Sequence, residues 1–191
     1  MIAANGWIFL NTATSPAFEQ VVWRHGFIPA HPHFRDILSS MFLHAGWAHL
    51  IGNMYFLYVF GDNVEDRLGK IFYLAVYFIC GFGAVFLQYT MDPRSVLPMI
   101  GASGAISGVC ALYMLMFPWQ KMRLHFFFLI FPLFSIPMRA FFLVGLWFLA
   151  QYWMATTADP GMGGVAFWAH VGGFLTGILL FLLAGRKKDR A

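Results

Sequence analysis

Ser103 and His170 each sit in a glycine-rich stretch of an apolar chain, GASGAISG at 101–108 and AHVGGFLTG at 169–177. A serine hydroxyl becomes a nucleophile when a base takes its proton, and a neighbouring imidazole can do so near neutral pH. That chemistry exists only if the fold brings the two residues together at one depth. A third group, HAGWAHLIGN at 44–53, holds His44, His49 and Asn53. His49 and Asn53 are four residues apart and so share one face of a helix. Polar side chains inside an apolar span are costly and are usually paired or functional. The plainer reading is an imidazole and an amide bonding across a helix bundle. His44 falls near the outer end of the same expected helix. There it would point about 140° away from His49, which argues against a shared zinc ion. No other spacing suggests a metal or a cofactor.

The elements that must position these residues follow from composition and charge. The chain has 191 residues, 60% hydrophobic and 10% charged, where a soluble domain carries about 25% charged. Its 23 Phe and 7 Trp exclude disorder. Cys80 and Cys110 give no disulfide framework. Charge-free runs place helices near 39–60, 70–90, 103–118, 139–155 and 165–185, close to the roughly 17–25 residues that a membrane span needs. The first run is strongly apolar only over Ile2 to Leu10, so a span at 1–12 is about half length. Either that helix is short or its N-terminal part precedes Met1. No basic n-region or A-x-A pattern marks it as a signal peptide.

The run LHFFFLIFPLFSIPM at 124–138 carries Pro132 and Pro137, which remove backbone donors and kink helices. It reads as an extension of the connection between the fourth and fifth spans, lying partly in the membrane interface rather than crossing. The expected fold is an all-α membrane protein, six transmembrane helices forming a single domain over 1–191. Lys and Arg then fall nine to three. Arg67, Lys70, Lys121, Arg123, Arg139, Arg186, Lys187, Lys188 and Arg190 lie on one face; Arg24, Arg35 and Arg94 lie on the other. The positive-inside rule places both termini in the cytoplasm. The basic C-terminal GRKKDR is then a stop-transfer flank, not a nucleic-acid groove.

Depth links the serine to the histidine. Pro98, Gly101 and Gly104 make a poor helix start, so the fourth span begins around Ser103 to Ala105 and ends before Pro118. About 14 residues cover roughly 21 Å, against a hydrocarbon core of roughly 30 Å. Ser103 therefore lies on the order of 10 Å below the outer surface, where irregular backbone is tolerated only if it lines a cavity. His170, about five residues into the sixth span, lies roughly 8 Å below the same surface. Gly173 and Gly177 share its face and can pack on Gly104 and Gly108, which brings His170 beside Ser103. Gly104 and Gly108 are also an ordinary small-residue packing surface. A single span between the fourth and sixth keeps these two parallel, as the loop charges require.

HAGWAHLIGN, GASGAISG and AHVGGFLTG, in that order on those spans, resemble the rhomboid intramembrane serine proteases. NVEDRLGK at 63–70 resembles their cytoplasmic loop after the second span. The resemblance covers the chain from about Arg35 to Ala184. It implies that Ser103 is the nucleophile and His170 the general base of a dyad with no acid in the sixth span. It also implies that His49, Asn53 and the Ser103 N–H stabilise the oxyanion. His44 would support the first loop and water access, and Met162 to Val165 would belong to a loop capping the site. Family members often carry a Trp-Arg pair eight to nine residues before the first histidine. Arg35 and Asp36 stand there, so different bonds should hold the first loop, roughly 11–38.

The implied partners are transmembrane protein substrates and the lipid bilayer, with no cofactor, metal or nucleic acid. A substrate helix has its backbone bonds satisfied internally, so Gly, Pro or Ser near its outer end should favour cleavage. His44, His49, Asn53, Ser103 and His170 are expected to line a water-accessible cavity, and a bacterial plasma membrane fits the compact design. An inactive rhomboid-like scaffold would have lost the serine or the histidine, and both are present. A small transporter would favour charged midplane residues or inverted repeats, and neither is visible.

Overall fold

The computed structural model describes residues 1–13, 15–128, 131–159 and 164–184, with backbone alone over 126–128 and 131–132. The basic cluster Arg186, Lys187, Lys188 and Arg190 lies outside the described residues, as do Met162 and Gly163.

Eight helices and one hairpin are described: α1 (Ile2–Thr12), α2 (Phe18–His25), α3 (Phe34–Ser40), α4 (Trp47–Leu68), α5 (Lys70–Met91), α6 (Ser103–Met116), β1 (Lys121–Phe128), β2 (Phe131–Arg139), α7 (Ala140–Thr157) and α8 (Phe167–Ala184). The helix α6 is the axis. Every residue from Gly104 to Met114 is buried, and α4, α5, α7 and α8 all pack against it. Small residues allow that envelopment. A Cβ on Gly173 would strike the Gly104 carbonyl, and one on Gly177 would strike that of Gly108. The matched order of these pairs means that α6 and α8 run parallel. On its other side, Gly104 meets Ala84 and Gly108 meets Cys80, so α5 runs antiparallel to α6.

Three helices are long and apolar enough to cross a membrane: α5, α7 and α8. Among the described residues that is fewer than the six expected, for three local reasons, the first being that α1 has only 11 residues. The helix α6 is apolar but has only 14 residues. The helix α4 has 22 residues, but His49, Asn53, Asp62 and Asn63 interrupt its apolar run. The segment 63–70, expected as a loop, is helical through Leu68, and Gly69 alone, at φ +80°, breaks α4 from α5.

Two further expectations are corrected. The second span does not begin at 39. Chain 34–40 forms α3, a turn follows, and the extended Gly46 (φ 174°, ψ 176°) starts α4 at Trp47. His44 is therefore in the turn and not on the helix. The fold is also not all-α: in the connection from α6 to α7, β1 and β2 pair as an antiparallel hairpin with Lys121 opposite Arg139 and Leu124 opposite Ile136. Its prolines stand on β2, where a missing donor is tolerated at a sheet edge.

The first loop is itself folded, and bonds other than a Trp-Arg pair hold it. Phe27 and Met99 exchange backbone bonds at 3.0 and 2.8 Å, and the Ala30 N–H donates to Ser95 O at 2.9 Å. Ser39 Oγ donates to His25 O at 2.7 Å. Arg35 Nε contacts its neighbour Asp36, whose carboxylate is buried.

Candidate active site

The position of Ser103 is built by a backbone constraint. Gly101 has φ +122°, a region that glycine enters without penalty. Its N–H donates to Ser40 O at 2.8 Å, which ties it to the end of α3. Two residues later Ser103 is the first residue of α6, where helix N–H groups have no intrahelical acceptor. A side chain on Gly101 would fill the space in front of the serine. Its Cβ would lie 2.7 Å from His49 Nε2 and 3.8 Å from Ser103 Oγ.

His170, on the first turn of α8, brings Nε2 to 2.8 Å from Ser103 Oγ. Its other ring nitrogen, Nδ1, lies 2.7 Å from Gln151 Oε1 on α7. Trp147, one turn before Gln151, lies over the imidazole with centroids 6.2 Å apart and planes at 29°. Gln88 Oε1 accepts the Ala169 N–H at 3.2 Å and so anchors the start of α8 to α5. Ser107, the second serine of GASGAISG, is buried and donates to Ser103 O at 2.7 Å. It closes the helix turn beneath the site.

His49 is oriented differently. The Ala45 N–H donates to its Nδ1 at 3.3 Å. A nitrogen that accepts carries no hydrogen, so the ring holds its proton on Nε2, the atom facing the space beside Gly101. Asn53 Nδ2 donates to His49 O at 2.8 Å, and its buried Oδ1 has no partner among the described residues.

A cavity of about 880 Å³ joins these groups, with His49, Asn53, Ser103, Gln151 and His170 in its wall. Gly164 and Val165, the described part of the expected capping loop, also line it. His44 does not. It is fully buried and packs edge-on to the His49 ring at 5.0 Å, because the turn at 41–46 brings the rings together instead of splaying them around a helix. Burial, and then the His49 ring, push the His44 imidazole down to about 4, so it is a neutral support for His49. Gly104, Gly173 and Gly177 lie under the site as close helix contacts.

Gln151 is the site neighbour that sequence reasoning missed. It is the one polar, non-aromatic residue in the apolar stretch from Ala140 to Ala155. An amide so placed inside a span is itself a signal.

A family model described as the rhomboid domain matches residues 31–187. The chain belongs to the rhomboid family. Rhomboid-like protein 11, chloroplastic, of Arabidopsis thaliana is 26% identical over 168 residues, covering 81% of this chain and 54% of that protein. RHOMBOID-like protein 6, mitochondrial, of the same plant is 30% identical, covering 75% and 41%. Rhomboid protein 1, mitochondrial, of Saccharomyces cerevisiae is 31% identical, covering 75% and 40%. The chain spans about half the length of these curated relatives, or less. With its rhomboid domain and apolar helices, it is an integral membrane protein. The organelle names of these relatives give no support to a bacterial plasma membrane.

Proposed function

We propose that this rhomboid-family chain is an intramembrane serine endopeptidase that cuts transmembrane segments of other membrane proteins near the outer face. The observation that supports this reading is the 2.8 Å approach of Ser103 Oγ to His170 Nε2 on the wall of a cavity inside a helix bundle. Ser103 Oγ attacks the scissile carbonyl carbon as its hydrogen passes to His170 Nε2. The resulting oxyanion takes hydrogen bonds from the Ser103 N–H, from His49 Nε2–H and from the second Asn53 amide hydrogen. When the tetrahedral centre collapses, the C–N bond breaks and Nε2 returns the proton to the leaving amine. Water then attacks the acyl-serine, gives a proton to Nε2 and releases the second product, restoring both side chains.

In the bilayer, α1, α4, α5, α6, α7 and α8 form one six-span domain over 1–191, with both termini on the cytoplasmic face. The 121–139 hairpin lies in that interface, and Gly164 and Val165 help to cap the cavity from outside. Because α6 is short, Ser103 sits below the outer surface within reach of water. A substrate helix must unwind locally to reach it, so Gly, Pro or Ser near its outer end favours cleavage.

The test is cleavage of a reconstituted single-span substrate by wild type, Ser103→Ala and His170→Ala. Wild type should cleave and both variants should lose activity. Equal cleavage by all three, or by none, would remove the protease assignment and favour a binding scaffold. A serine-directed fluorophosphonate should label wild type and leave Ser103→Ala unlabelled.

A further inference from the structure

We propose that Gln151 is a positioning residue that fixes His170 in the tautomer able to take the serine proton. The inference rests on the Ser103–His170 reading and adds a third member to it from a different helix. Both ring nitrogens of His170 are engaged, Nε2 with Ser103 Oγ at 2.8 Å and Nδ1 with Gln151 Oε1 at 2.7 Å. An amide oxygen accepts and never donates, so the hydrogen between Gln151 and His170 belongs to Nδ1. A neutral imidazole has one ring hydrogen. Placing it on Nδ1 leaves the Nε2 lone pair aimed at the serine O–H. In the opposite tautomer Nε2–H would donate to Oγ, and the ring could not act as a base. The bond made by one ring nitrogen sets the state of the other.

Trp147 supports the same orientation. It stands four residues before Gln151, on the same face of α7, and stacks on the imidazole that Gln151 bonds. One helix face therefore sets both the plane of the ring and its hydrogen. A neutral amide suits this place better than the carboxylate of a triad. A carboxylate in an apolar helix carries a desolvation cost, and the amide orients the ring without it. His49 offers an internal contrast, since the Ala45 N–H donates to its Nδ1 and holds the reverse tautomer. The two histidines facing the cavity are thus set oppositely, one as a donor and one as an acceptor, each by a single bond.

The test uses the full chain in lipid nanodiscs with 15N-labelled histidine, the His170 signals being assigned by their loss in His170→Ala. Wild type should show Nδ1 protonated and Nε2 bare at His170. Gln151→Met keeps the side-chain length but lacks the amide oxygen. It should mix the tautomers and lower kcat on a single-span substrate by roughly 10–100-fold, with KM within about two-fold. A purely structural role would leave the tautomer unchanged. If wild type cleaves and labels with fluorophosphonate but shows Nε2–H, or if Gln151→Met keeps the wild-type kcat, this inference alone is overturned. If wild type neither cleaves nor labels, the Ser103 reading fails and this inference fails with it.

Discussion

Gly101 is the residue on which the site geometry turns. Its left-handed backbone presents a hydrogen where any other residue would present a methyl group, between His49 Nε2 and Ser103 Oγ. Gly101→Ala should therefore lose roughly 100-fold or more in kcat, because the proposed oxyanion space is occupied, and should also lower the unfolding temperature, because alanine is strained at that φ. Turnover and thermal unfolding of the same preparation check both. His49→Ala removes a donor and should cost about 100–1,000-fold in kcat with little change in KM. The meeting of Ser103 and His170 could be read from sequence because helical rise sets both depths and the glycine faces at 104/108 and 173/177 pack together. Gln151 could not be placed in the same way. No periodicity connects it to His170, and only the packing of α7 against α8 brings them together. The place of His44 is not legible in the sequence because an apolar run hides the turn at 41–46.

At the scale of elements, the glycine-faced contact of α6 with α8 is the joint that sets the Ser103–His170 distance. Gly173→Ala would drive a methyl group into the Gly104 carbonyl and should destabilise the protein by about 1–3 kcal/mol. Gly145, on α7, has no heavy atom within 4 Å of a built Cβ. Gly145→Ala should leave stability unchanged or raise it by up to about 1 kcal/mol. Unfolding titrations of the two variants in the same detergent make the comparison. The hairpin is only partly legible in the sequence. Lys121, Met122, Arg123, Leu124 and His125 alternate polar with apolar, a period-2 signal, but the Phe run and the two prolines that follow break that alternation. The pairing puts Leu124 opposite Ile136 on one face, and Arg123 opposite Pro137 and His125 opposite Ser135 on the other. Spin labels at Leu124→Cys and Ile136→Cys should be relaxed by oxygen, and one at Ser135→Cys by aqueous nickel. Equal relaxation at all three would place the hairpin outside the interface.

For the whole molecule, the span count was the least legible feature. A rule based on length and hydropathy assumes that each helix meets lipid along its own surface, and α6 does not. It can be short because α4, α5, α7 and α8 replace the bilayer around it. This envelope has a mechanical consequence. A thicker or thinner bilayer acts on lipid-facing helices through hydrophobic mismatch, and Ser103, the proposed nucleophile, stands on the helix that mismatch reaches least. A substrate helix has no such shelter and must rise or sink with the membrane. Bilayer thickness should therefore act as a ruler, moving the cleaved bond along the substrate while the fluorophosphonate reactivity of Ser103 stays constant. Product mapping in nanodiscs of graded acyl-chain length would reveal that displacement.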